Sequence, residues 1–148
     1  MKDAIRLTHE FVEYIPKSLS EGTIYISIKF ATAAHKCVCG CGNEVVTPLS
    51  PTDWKLIYDG ESVSIDPSLG NWNFACRSHY WIKNNTVIWG YSWSREQIES
   101  GRALDRLAKR NYFESESPDV DEKRDVGALE TITRVRCLWR KLIGWILN

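Results

Sequence analysis

The residues best equipped for chemistry are crowded into one short segment, His35-Lys36-Cys37-Val38-Cys39-Gly40-Cys41-Gly42. Thiolates are soft ligands, and a zinc ion gathers four of them tetrahedrally. Gly40 and Gly42 tolerate positive φ, so the chain can curl and aim backbone amides at the sulfurs, which stabilises their charge. Three cysteines on one turn supply three ligands, and the distant Cys76 is the obvious fourth donor. The C-x-C-G-C-G spacing differs from the usual C-x2-C knuckle. Packing three reduced thiols beside glycines has no rationale as core, so the expected cofactor is Zn2+ on Cys37, Cys39, Cys41 and Cys76. If alternation turns Cys39 away from Cys37 and Cys41, His35 or His79 completes a three-cysteine, one-histidine site. Cys137 sits near the C-terminus on the flank of an apolar stripe and needs no ligand role.

Hydroxyls and imidazoles lie beside these cysteines. If Cys37 and Cys76 share an ion, their segments are neighbours. Antiparallel pairing of Cys37 with Cys76 would place His35 opposite Ser78 on the same face. A serine beside a histidine is the minimum for an activated hydroxyl nucleophile. His79 points the other way in a regular strand, though a bulge can re-aim it. Ser68, in the segment Pro67–Asn71, is a second nucleophile candidate, and Ser50 fits turn chemistry. Asp53 and Asp59 are the nearest carboxylates to orient a histidine, and Asp59 is already explained by a hairpin turn. Histidines next to a metal commonly just support its ligands.

These residues need elements to hold them. Thr23–Phe30 alternates Ile24, Ile26 and Ile28 with polar residues, a strand pattern. Arg6–Tyr14 fits a strand or a short helix. Asp59-Gly60 sits between Trp54–Tyr58 and Ser62–Ile65, and Lys83-Asn84-Asn85 between Trp72–Ile82 and Thr86–Tyr91; both read as hairpins. Pro67–Asn71 reads as a tight loop. Ser94-Arg95-Glu96-Gln97 is a capping box, with Trp93 and Ile98 at the staple positions, and it predicts a helix from Arg95 to about Arg110. A polar, acidic connector follows over 111–127, then an amphipathic helix over 128–148 that packs on the sheet or on a second copy. The expected fold class is α+β: a small antiparallel β-sheet domain with a zinc-binding turn over 1–110, followed by C-terminal helices.

The chain has 148 residues, 43% hydrophobic and 26% charged, enough for one folded core. Its 19 basic and 19 acidic side chains argue against a general nucleic-acid binder. No apolar run reaches the length of a signal peptide or a membrane span, so a reducing cytoplasm is expected. There, clustered cysteines read as metal ligands. Seven tryptophans are more than one core needs, so some should line a groove or a partner surface.

Taken together, HKCVCGCGNEVVTPLSPTDWKLIYDG, VSIDPSLGNW, CRSHYWI and the Trp-Ser-Arg-Glu segment resemble a small family of bacterial ubiquitination-like (Bub) operons. The resemblance covers roughly 35–102. It implies a deubiquitinase-like serine peptidase with a structural zinc, which trims a ubiquitin-like precursor or removes the modifier from targets. Its partners would be the ubiquitin-like protein and E1-like or E2-like proteins, with a homodimer through the last helix a further option. Carried onto this chain, the four cysteines would be ligands, and Ser78 would attack the glycyl carbonyl with His35 or His79 as base. Tyr80 and Trp72 could clamp the tail. A zinc-water metallopeptidase and a non-enzymatic binding module are the competing classes.

Overall fold

The computed structural model describes residues 5–116. The expected connector beyond that point, the helix over 128–148, its dimer and Cys137 lie outside the described residues. Two four-stranded sheets are formed. The first contains β1 (Thr8–Phe11), β2 (Thr23–Ser27), β3 (Thr32–Lys36) and β4 (Glu44–Pro48) in that order, with β1 parallel to β2 and the rest antiparallel. The second is an antiparallel meander of β5 (Lys55–Tyr58), β6 (Val63–Gly70), β7 (His79–Lys83) and β8 (Thr86–Trp89). One helix, α1 (Arg95–Glu116), follows. With a cysteine cluster at one end, the architecture is the expected α+β domain.

Alternation decides which residues meet between the sheets. Ile24 pairs with His35 and Ile26 with Ala33, so these side chains share one face. From the second sheet, Val63, Ile65, Leu69, Tyr80 and Ile82 join Ile24, Ile26, Ala33 and Cys37 in one buried cluster. The inward set on and before β7 is therefore Ser78, Tyr80 and Ile82. His79 and Trp81 point to the opposite face. A smaller cluster of Leu19, Tyr25 and Ala34 covers the other side of the first sheet, which is why every residue of β2 is buried.

Both predicted hairpins form. Asn84 and Asn85 take φ of 48° and 61°, the left-handed pair that a two-residue hairpin requires and that asparagine tolerates. The Asp59 carboxylate accepts bonds from the amides of Glu61 and Ser62 and from the Ser62 hydroxyl. These bonds, the Ser62 amide foremost, hold its pKa down at about 2, and they occupy Asp59 as a turn residue.

Three boundaries differ from the sequence reading. Pro67–Gly70 belongs to β6, not to a loop, and the register slips between Ile65 and Leu69, where β6 spends four residues against two of β7. Residues 72–78 form turns, so β7 starts only at His79. The capping box is made as expected, with Ser94 N–H on Gln97 Oε1 at 2.8 Å and Gln97 N–H on Ser94 Oγ at 3.3 Å. The helix then continues past Arg110 to Glu116, because asparagine, aromatics and glutamate all permit helix and the first proline is Pro118. The chain separates into two compact units, Met1–Arg106 and Leu107–Asn148. All candidate site residues belong to the first.

Candidate functional site

β3 runs inward through His35 and delivers Cys37 just past its end. The chain then curls back, with Cys37 N–H bonded to Asn43 O at 2.8 Å and Gly40 N–H to Cys37 O at 3.1 Å. Gly40 and Gly42 carry φ of 82° and 77°, the freedom that this turn requires. Cys76 arrives from the turns before β7. The four sulfurs of Cys37, Cys39, Cys41 and Cys76 all lie within 4.8 Å of one another. Individual separations are 3.4 Å for Cys37–Cys39, 3.9 Å for Cys37–Cys76 and 3.7 Å for Cys41–Cys76. These exceed a disulfide bond of about 2.05 Å. The cluster can hold a metal ion, and Cys39 is part of it.

The sulfurs perturb one another's ionisation. Burial and the neighbouring Cys37 and Cys41 thiols push Cys39 up to about 12. Burial also opposes ionisation of Cys76, yet bonds from Ser78 and from the Cys39 and Cys41 thiols hold it down at about 6. Burial raises Cys37 as well. Four thiolates this close repel strongly, and a cation at their centre is what lets all four ionise together.

Behind the sulfurs runs a buried polar chain. Ser78 Oγ lies 3.1 Å from Cys37 Sγ and 3.6 Å from Cys76 Sγ. Asn71 Nδ2 donates to Ser78 Oγ at 2.9 Å and to Tyr80 OH at 3.3 Å. Tyr80 OH in turn lies 2.8 Å from His35 Nε2. Burial lowers His35 to about pKa 4, so its ring is neutral and supports packing.

Two sequence expectations are corrected here. Cys37 and Cys76 are not cross-strand partners: β3 pairs with β2 and β4, and His35 stands opposite Ile24 and Val45. The cysteine segments meet because two sheets pack face to face. The expected Ser78–His35 pair is consequently not formed, since Ser78 serves the sulfurs and His35 serves Tyr80. Tyr80, expected at the surface, is fully buried.

His79, on the other face of β7, has a different partner. Its Nε2 lies 2.9 Å from Ser68 Oγ, and its Nδ1 lies 2.8 Å from the Tyr91 carbonyl oxygen. A carbonyl only accepts, so Nδ1 carries the proton and Nε2 is left as the acceptor for the Ser68 hydroxyl. The slip in β6 is what turns Ser68 toward the ring. Trp72, Trp81 and Trp93 surround His79 with ring centroids 5.1, 5.1 and 5.4 Å away. Trp93, immediately before the cap of α1, stacks on Trp72 at 5.5 Å. Space for these rings comes from glycines: a Cβ on Gly70 would strike the Trp72 indole, and one on Gly90 would lie 2.5 Å from His79 Nδ1.

A serine and a histidine in this relation form the working pair of a serine hydrolase, and Bacterial ubiquitination-like system serine protease (BubE) is the family whose model matches residues 11–90. The chain belongs to the BubE family. No curated protein and no solved structure matches it. The matched span contains both features described above, the sulfur cluster and the Ser68–His79 pair, whereas Trp93 and α1 lie beyond it. Among the described residues of this BubE chain, no helix is long and apolar enough to cross a membrane. The Tyr91 carbonyl was invisible to a search for carboxylates: Asp59 serves its turn, and Asp53 accepts from Ser50 Oγ at 2.7 Å. The one signal that pointed to His79 facing away from Ser78 was strand alternation, which holds.

Proposed function

We propose that this protein is a deubiquitinase-like serine peptidase in which Ser68 is the nucleophile and His79 the general base, with a structural zinc on Cys37, Cys39, Cys41 and Cys76. The observation that carries the reading is the Ser68–His79–Tyr91 carbonyl alignment. His79 takes the Ser68 proton as Oγ attacks the carbonyl carbon of a glycyl bond. The imidazolium then gives that proton to the leaving amine, and water, deprotonated by the same nitrogen, releases the acyl group. The Tyr91 carbonyl fixes the tautomer and ring plane, the service that an aspartate renders in other triads. The tryptophan walls exclude water from the ring and leave a narrow entry, which suits a ubiquitin-like tail ending in glycine. A ubiquitin-like precursor or conjugate is therefore the substrate.

The donor set suits zinc. Zn–S bonds of about 2.3 Å in a tetrahedron require sulfurs about 3.8 Å apart, and the printed separations run from 3.4 to 3.9 Å. A shell of four thiols leaves no position for water, so the ion acts as scaffold. When bound it would neutralise the sulfurs, while Ser78 donates its proton toward Cys37 Sγ and Asn71 fixes Ser78.

Incubation with a ubiquitin-like precursor from a Bub operon should yield a product ending in glycine by intact mass. A fluorophosphonate should label Ser68 and no other serine; labelling elsewhere, or no cleavage with tight binding, would replace the enzyme reading with a binding module. Gly90→Ala provides a second check. Its new methyl group would displace the His79 ring, and a shift of about 1 Å can cost about a hundredfold in rate. We expect kcat/KM to fall by about that factor while metal content per chain stays unchanged.

A further inference from the structure

The sheet that carries Ser68 and His79 has an open edge. β5 is its terminal strand, and it pairs with β6 only from Lys55↔Asp66 to Tyr58↔Val63. The part of β6 bearing Ser68 extends past the end of β5. Trp54, just before β5, bridges the gap: its indole N–H donates to the Ser68 carbonyl at 3.3 Å. The Trp54 backbone faces away from β6, donating to Pro48 O at 3.3 Å and accepting from Ser50 N–H at 3.2 Å. Backbone groups alternate sides along an antiparallel strand, so Leu56 presents its own N–H and C=O to that same open side. Against this edge lies a groove of about 440 Å³, lined by Leu49, Ser50, Pro51, Trp54, Lys55 and Leu56.

We propose that this groove receives the extended C-terminal tail of the substrate as an added strand on the outer edge of β5, leading past Trp54 to Ser68. The proposal rests on the reading of Ser68 and His79 as the catalytic pair. Trp54 makes the groove continuous with the nucleophile, since one side chain both lines the groove and binds the Ser68 carbonyl. A strand edge recognises extended backbone through main-chain bonds, and alternate side chains drop into the adjoining pockets. The walls here are aliphatic and aromatic, with Lys55 the single charge. The occupant is thus an unfolded peptide with aliphatic residues at alternate positions before the scissile glycine.

The test uses four synthetic probes on the full chain. Acetyl-Leu-Ala-Leu-Ala-Gly-Gly-aminomethylcoumarin carries the tail, a set of its singly N-methylated forms removes one amide proton each, acetyl-Gly-Gly-aminomethylcoumarin lacks the tail, and 4-nitrophenyl acetate reports Ser68 chemistry alone. Each main-chain bond contributes about one kcal-scale hydrogen bond, or roughly tenfold in affinity. N-methylation at every second amide should therefore lower kcat/KM about tenfold, with the intervening amides nearly neutral. The truncated peptide should be poorer still, and Leu56→Lys should raise KM for the long peptide without altering ester turnover. Equal kcat/KM for long and truncated peptides, or no alternation among the N-methylated forms, would remove the groove while intact ester hydrolysis left the catalytic pair standing. Failure to turn over any probe would remove both.

Discussion

A Ser68→Ala variant should lose at least about a thousandfold in kcat/KM on a ubiquitin-like precursor, whereas Ser78→Ala should stay within about tenfold of the parent. The contrast follows from where the two hydroxyls sit. Ser68 Oγ is 2.9 Å from a histidine nitrogen whose tautomer is set by the Tyr91 carbonyl, so its proton has a destination during attack. Ser78 Oγ lies among the Cys37 and Cys76 sulfurs and the Asn71 amide, and it is buried. A thiol or thiolate there is no general base aimed at a substrate. Removing the Ser78 hydroxyl weakens support for the metal and leaves the reacting atoms in place. His79→Gln should match the Ser68→Ala loss, because the two act as one unit and their effects do not add. Cleavage measured by intact mass decides the matter: activity surviving in Ser68→Ala and vanishing in Ser78→Ala would exchange the two assignments.

The strands, the two hairpins and the helix cap were legible because each follows a local rule. Ile24 and Ile26 alternate, Asn84 and Asn85 accept left-handed φ, and Ser94 with Gln97 closes a capping box. The sulfur cluster was legible for the same reason, since its three near members sit on one glycine turn. What brings Cys76 to them is not local. Sheet order β1-β2-β3-β4 and β5-β6-β7-β8 puts the two cysteine segments in different sheets, and neither spacing nor alternation reveals that Cys37 meets Cys76 by face packing. A single wrong premise, cross-strand pairing, thus coupled His35 to Ser78. Ser68 suffered the opposite fate. Pro67 and Gly70 marked its segment as a loop, whereas β6 absorbs both through a register slip. The glycines that make room for Trp72 and His79 carry no sequence signal, because their requirement comes from rings distant along the chain.

Removing the metal should be the most damaging treatment of all. A structural zinc held by thiolates contributes on the order of 10 kcal/mol of apparent binding energy at neutral pH, comparable with the whole stability of a small domain. Here it clamps two segments that also define the catalytic face: Cys76 stands two residues before Ser78 and three before His79. The neighbouring Asn71 N–H bonds the Ser78 carbonyl at 2.9 Å. We expect elemental analysis to give one zinc per chain, and Cys37→Ser and Cys76→Ser each to lower that content. Their melting midpoints should fall by more than about 10 °C. Binding requires deprotonated thiols, so protons compete with the ion and the midpoint of the holo protein should fall as pH drops. Exchange of Zn2+ for Cd2+ separates scaffold from reagent. Cadmium binds four thiolates well but is a different Lewis acid. If Ser68 and His79 perform the chemistry, the cadmium form should cleave the precursor at nearly the zinc rate. A rate that instead follows the identity of the metal would place the ion in the reaction and overturn its assignment as scaffold.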